Sequence, residues 1–197
     1  MKKGLMDGYV GVKFEHERSP LDAPAQLEAL WPHFRLAGMV LGGHGMAHLN
    51  GGNMSARLGD GFVVTSSGSN LGILEPGELV YVDGCQVEPG RVRYRGPVLP
   101  SSEAIMHHMV LAAHPEAGAV VHAHDAALTP AAMERAGLLQ TRREEPYGTV
   151  ALAQRALEAF ASGRDLIVLV NHGYVCVAES LEAAVDRIVA THLRLSE

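Results

Sequence analysis

Cysteine is scarce, with only Cys85 and Cys176 in 197 residues. A chain of this length buries a core without covalent staples. Two cysteines are too few for a disulfide framework, so they read as buried or incidental thiols in a reducing compartment. Long apolar runs are also missing. The strongest, "LIVLV" at residues 166–170, is far too short to cross a bilayer. Met1-Lys2-Lys3 imitates the start of a signal peptide, but glycines and charges interrupt the next residues, and no leader is expected. No long basic run occurs and the net charge is −6, which argues against nucleic acid or an anionic membrane as partner. No repeat, low-complexity segment or composition shift divides the chain. These absences lead to the expectation of a cytoplasmic protein with one domain over residues 21–197, preceded by a polar arm at 1–20.

Apolar residues make up 47% and charged residues 19%, the balance of a folded globular chain. Eleven histidines are many for this length and make metal chemistry worth testing. Residues 25–41 carry helical spacing around Pro32, which either kinks one helix or starts a second. A glycine-rich loop then leads into a strand near "GGNMSAR". "GFVVT" and "ELVYVDGCQV" read as strands, with Asp83-Gly84 as a hairpin turn and "RVRYRG" extending that hairpin. Pro100 and the serines after it read as a helix start. "AVVHAHD" is a strand, and "TVALAQRALEAF" is an amphipathic helix. "DLIVLVNHGYVCVAES" gives two strands around Asn171-His172-Gly173. Ser180 caps a last helix. "AVVHAHD" and "LIVLV" are apolar throughout, as central strands covered on both faces are. The pattern is that of a three-layer α/β/α sandwich around a mainly antiparallel sheet.

His122-x-His124 puts two imidazoles on one side of a strand, since side chains alternate between faces. On spacing alone, packing is a better reading than metal binding. His172-Gly173, at a turn beyond a buried strand, offers a third imidazole. Three histidines would leave one coordination position open, the layout of a catalytic rather than a structural zinc. Pro100-Ser101-Ser102-Glu103 has the composition of any helix N-terminus. The same free N–H groups and hydroxyls would also cradle a phosphate, with Glu103 as acid/base. "GGNMSAR" and "VTSSG" are either turns or nests of donors for an anion. Arg57 is a surface pair or a structural anchor.

In order along the chain, Gly52-Asn53-x-Ser55-x-Arg57, Thr65-x-x-Gly68, Pro100-Ser101-Ser102-Glu103, His122-x-His124 and His172-Gly173 resemble the class II aldolase/adducin family. No single motif decides this, whereas the ordered set is specific. The resemblance implies that His122, His124 and His172 bind a divalent metal, usually Zn2+ although other divalent metals are compatible. It implies a phosphate held by Asn53, Ser67, Gly68, Ser101 and Ser102, and Glu103 as the acid/base. It further implies a small-molecule substrate, phosphorylated in most of the family, and a homo-oligomer with a tetramer favoured. The leading expectation is a carbon–carbon lyase acting on a small ketose or hydroxy-keto compound. A dehydratase or a 4-epimerase of a pentulose phosphate is the alternative on the same scaffold. A non-catalytic module like the adducin head is the alternative of a different class, expected to have lost the ligands that this chain keeps. Two departures are visible. The connection from Asp125 to Tyr147 is short and contains no tyrosine before Tyr147, and no counterpart is expected of the tail that closes over substrate in the family. Tyr147 is the one candidate to substitute.

Overall fold

The computed structural model describes residues 14–195. It begins with β1 (Glu15–Arg18) and α1 (Gln26–Gly43). Four strands come next: β2 (Asn53–Leu58), β3 (Gly61–Thr65), β4 (Leu79–Gln86) and β5 (Arg91–Arg95). After them lie α2 (Ala104–Ala113), β6 (Ala119–Ala123), α3 (Pro130–Arg135) and α4 (Val150–Phe160). The chain closes with β7 (Leu166–Leu169), β8 (Gly173–Ala178) and α5 (Leu181–Leu195). The strands make one sheet in the order β1-β5-β4-β3-β2-β6-β8-β7. Every pairing is antiparallel except β1 with β5, so the expected mainly antiparallel sheet is present.

The three layers arise from side-chain alternation. Val121 packs into the core beneath α1 and α5, with Phe34, Leu41, Val185 and Ile188. Val120, one residue earlier, packs into the opposite core with Ile105 and Val110 of α2 and Leu152 and Phe160 of α4. Period two therefore sends His122 to the α2 side. Across the β2–β6 ladder, Asn53 opposes His122 and Ser55 opposes Val120, so both face α2 as well. This register gathers the polar site on one face of the sheet.

Several elements depart from the sequence reading. Of the expected arm, residues 1–13 lie outside the described residues, and Glu15–Arg18 forms β1 against β5. Four residues paired with a segment far along the chain leave no local periodicity to read. The strand β4 runs straight through Asp83-Gly84, where the register shifts as a bulge. The Asp83 carboxylate accepts from Arg93 Nε at 2.8 Å and Arg95 Nε at 2.7 Å on β5, which favours strand over turn there. The reversal comes later, near Gly90. The run "LIVLV" forms an edge strand rather than a central one. It is apolar because α4 and α5 cover the neighbourhood of β7 and β8. One helix runs through Pro32 without a second start. A short helix, α3, capped by Thr129 Oγ1 on the Ala132 N–H at 3.3 Å, was not expected. Cys85 and Cys176 are free, and burial pushes both thiols up to about 12, in keeping with inert cysteines. Among the described residues, no helix is long and apolar enough to cross a membrane.

Candidate metal centre

The site lies at the end of β6, where three segments meet. His122 is the penultimate residue of β6, His124 comes directly after the strand, and His172 sits in the turn between β7 and β8. Gly173 makes that turn possible. A Cβ there would lie 2.3 Å from the Ala123 carbonyl oxygen, so any larger residue would push the His172 turn away from β6. Gly52 does the same on the other flank. It has φ +83°, and a Cβ would meet the His122 carbonyl oxygen at 2.6 Å.

The three imidazoles converge through Nε2. His122 Nε2 is 3.0 Å from His124 Nε2 and 3.2 Å from His172 Nε2. Their rings stand nearly perpendicular with centroids 4.8–4.9 Å apart. The His122 tautomer is fixed from behind. Its Nδ1 lies 2.7 Å from the Tyr174 carbonyl oxygen, which only accepts, so Nδ1 carries the proton and Nε2 presents a lone pair. Burial, then the neighbouring His172 and His124, holds the His122 pKa well below the ordinary value. Burial, then His172, lowers His124 as well. Neutral imidazoles with inward lone pairs are what a cation requires.

Glu103 closes the cluster from α2. Its Oε2 lies 3.4 Å from His122 Nε2, and its Oε1 lies 3.9 Å from His172 Nε2. Oε1 is buried and has no hydrogen-bond partner. An orphaned buried carboxylate oxygen beside three convergent imidazole nitrogens is costly unless positive charge or a donor sits between them. The residues therefore fit a divalent cation. His122, His124 and His172 could hold it, with one nitrogen from each within 4.8 Å of the others.

Glu103 is held by its own backbone. It occupies the N-cap position of α2, but its side chain makes no capping bond. Ser101 Oγ accepts the Glu103 N–H at 3.2 Å instead, leaving the carboxylate to point at the histidines. The helix thus starts at Ala104, later than the serines suggested. The Ser101 N–H donates to the Thr65 carbonyl at 3.0 Å, and Ser66 bridges Pro100. These bonds bring the Thr65–Gly68 turn beside the Pro100–Glu103 segment.

The phosphate candidates divide. Ser67 and Gly68 lie exposed at the turn after β3, with Gly68 at φ +81°. Ser102 is half-buried, and Ser101 is buried. Asn53 is buried and both ends of its amide are taken up within the protein, Nδ2 by Glu103 Oε2 at 2.7 Å and Oδ1 by His107. Arg57 is an anchor, donating to the carbonyls of Leu111 in the last turn of α2 and of His114 and Ala117 just beyond it. The Tyr147-Gly148 segment lies against Ser102, since a Cβ on Gly148 would be 2.9 Å from the Ser102 carbonyl oxygen.

Sequence reading missed the supports. His107 is one helical turn after Glu103, and that spacing was the available signal. Asp125 accepts from Tyr174 Oη, and its Oδ2 also lies 2.8 Å from His192 Nδ1. This ties the residue after His124 to β8 and α5.

The sequence model of the family described as Class II Aldolase and Adducin N-terminal domain matches residues 35–194. A 5-methylthioribulose-1-phosphate/5-deoxyribulose-1-phosphate aldolase of Rhodospirillum rubrum is 34% identical over 152 residues, which are 70% of this chain and 66% of that protein. A methylthioribulose-1-phosphate dehydratase of Methylococcus capsulatus is 38% identical over 95 residues, which are 47% of this chain and 43% of that one. The matches thus span less than two thirds of these relatives' lengths. Among solved structures, an L-fuculose 1-phosphate aldolase superposes with TM-score 0.73 at 23% identity, over 90% of this chain and 87% of the other. A sugar-phosphate aldolase from Thermotoga maritima gives TM-score 0.73 at 19% identity, over 87% and 94%. At such identity these two establish the shared fold. The chain belongs to the class II aldolase/adducin family.

Proposed function

We propose that this chain is a metal-dependent lyase that cleaves or forms a carbon–carbon bond in a small, phosphorylated ketose or hydroxy-keto compound. The observation that carries the reading is the buried, unpartnered Oε1 of Glu103 facing three convergent imidazole nitrogens. A divalent cation on His122, His124 and His172, zinc before other metals, supplies Lewis-acid polarisation of a substrate carbonyl oxygen. Glu103 takes or gives the proton at the carbon next to that carbonyl. Ser67, Gly68, Ser101 and Ser102, brought together by the Ser66–Pro100 bridge, offer hydroxyls and a turn for the phosphate. Asn53 contributes by holding Glu103 rather than by a free amide.

A dehydratase is the second reading. The Rhodospirillum and Methylococcus relatives are both named for methylthioribulose 1-phosphate, one as an aldolase and one as a dehydratase. Both reactions need a proton moved beside a polarised carbonyl, so the same residues serve either. A cytoplasmic homo-oligomer, with a tetramer favoured, completes the proposal. Leu36, Met39 and Val40, exposed along α1, are apolar enough to support a subunit contact.

Incubating zinc-loaded protein with ketose 1-phosphates tests this. Release of dihydroxyacetone phosphate supports the aldolase, and a dehydrated diketone supports the dehydratase. No turnover of any ketose phosphate by protein with full metal occupancy overturns both.

A further inference from the structure

Beneath Glu103 runs a chain of polar side chains sealed from solvent. Asn53 Nδ2 donates to Glu103 Oε2 at 2.7 Å. On the other side of the amide, Asn53 Oδ1 contacts His107 Nε2, and His107 Nδ1 lies 2.6 Å from Ser55 Oγ. Ser55 and His107 are 0% exposed, and Asn53 is 7% exposed, so no substrate reaches Ser55 or His107. The serine–histidine pair is therefore not a nucleophile with its base.

The donor–acceptor pattern has a direction. A carboxylate only accepts, so the amide nitrogen of Asn53 faces Glu103 and its oxygen faces His107. That oxygen requires a proton on His107 Nε2. Nδ1 then holds a lone pair, which takes the Ser55 hydroxyl hydrogen. Each group has one arrangement that satisfies its neighbour, and each is buried, where a mismatch is expensive. Burial holds His107 down to about 4, which keeps the ring neutral and able to carry that single tautomer.

The fold sets this placement. His107 is four residues after Glu103 on α2, so both reach the sheet from one helix face. Asn53 and Ser55 are two apart on β2, so they share the face that meets α2. The carboxylate of Glu103 thus has one firm anchor, and that anchor is oriented from His107.

We infer that His107 is a positioning residue which, in the Nε2–H tautomer that the Asn53 amide oxygen requires and the Ser55 hydroxyl completes, fixes the Asn53 amide so that Glu103 keeps Oε1 aimed at the three histidines. This rests on the proposed role of Glu103 as acid/base. The side-chain hydrogen bonds of His107 run to Asn53 and Ser55.

The test has an arm that needs no turnover. In wild-type protein with 15N-labelled histidine, NMR is expected to show His107 as the neutral Nε2–H tautomer. Ser55→Ala, a small change that preserves packing, leaves Asn53 Oδ1 in place as acceptor and is expected to keep the Nε2–H form. A wild-type ring protonated on Nδ1, or a move to the Nδ1–H form in Ser55→Ala, overturns the proposal. In the kinetic arm, His107→Gln keeps a donor where Nε2 stood, whereas His107→Phe keeps only bulk. His107→Phe is expected to lose about 10- to 100-fold in kcat at unchanged KM and full metal occupancy, and His107→Gln to recover most of it. Equal losses in the two variants mean a packing role and sink the proposal, as does an unchanged kcat in His107→Phe. Should wild-type protein turn over no ketose phosphate, the proposed function fails while the tautomer result still decides the role of His107.

Discussion

Glu103 Oε2 stands 3.4 Å from His122 Nε2, although the two residues come from different layers, one from the start of α2 and the other from the end of β6. The β2 strand joins them. Asn53 is paired in register with His122 and hydrogen-bonded through its side chain to Glu103. One residue thus sets the distance between the proposed acid/base and the proposed ligands.

His124→Ala should lose most bound metal. A three-ligand site cannot spare one ligand, and His124 lies just past β6. Metal analysis after gel filtration should find the variant well below the wild-type content. Wild-type content would remove His124 from the ligand set.

Glu103→Gln should keep its metal and its fold, because the side chain retains its size and the three histidines are untouched. Turnover should fall by at least about 100-fold, the loss typical of a general acid/base. The comparison is kcat at matched metal content, and an undiminished kcat would take Glu103 out of the chemistry.

Gly173→Ala should damage stability and site together. The added Cβ would lie 2.3 Å from the Ala123 carbonyl oxygen, and backbone must shift to relieve it. Overpacking of this kind costs about 1–3 kcal/mol. Urea unfolding of metal-free protein measures the loss, and metal titration should give weaker binding because His172 moves with the turn. Wild-type values in both would contradict the close packing of that turn on β6.

Stability should fall in mild acid because His107 is buried neutral. Its pKa is held down by burial, to about 4 against an ordinary 6.5, while Glu103 pulls the other way. The unfolded chain therefore takes up the proton first as pH drops. The contribution is whole above about pH 6.5 and is lost as pH falls to about 4, on the order of 3 kcal/mol in all. Urea unfolding of metal-free wild type and His107→Gln across this range should diverge, with the wild type falling more steeply. Parallel curves would place the histidine in a less buried setting.

The parts of the site legible in the sequence were those with short spacings. His122-x-His124 obeys strand alternation, His172-Gly173 marks a turn, and Glu103 stands in a compact motif. Asn53 was read as a phosphate group because its partners become visible only with the β2–β6 register, which no local pattern encodes. His107 had the right helical spacing, yet His108 beside it offered the same chemistry, and only the start of α2 at Ala104 separates them. Asp83-Gly84 looked like a turn because its composition is that of one. The two arginines of β5 that hold it in a strand are about ten residues away. The mixture of strand and helix patterns was enough for the three-layer class, while the edge position of β7 required the pairing itself.

The central claim is that His122, His124 and His172 hold a divalent cation beside Glu103. Titrating zinc into metal-stripped wild-type protein, monitored by calorimetry and elemental analysis, addresses it most directly. The account predicts saturation at one zinc per chain, abolished in His124→Ala and retained in Glu103→Gln. Binding well below one per chain in wild type, unrecovered with excess zinc, would contradict it.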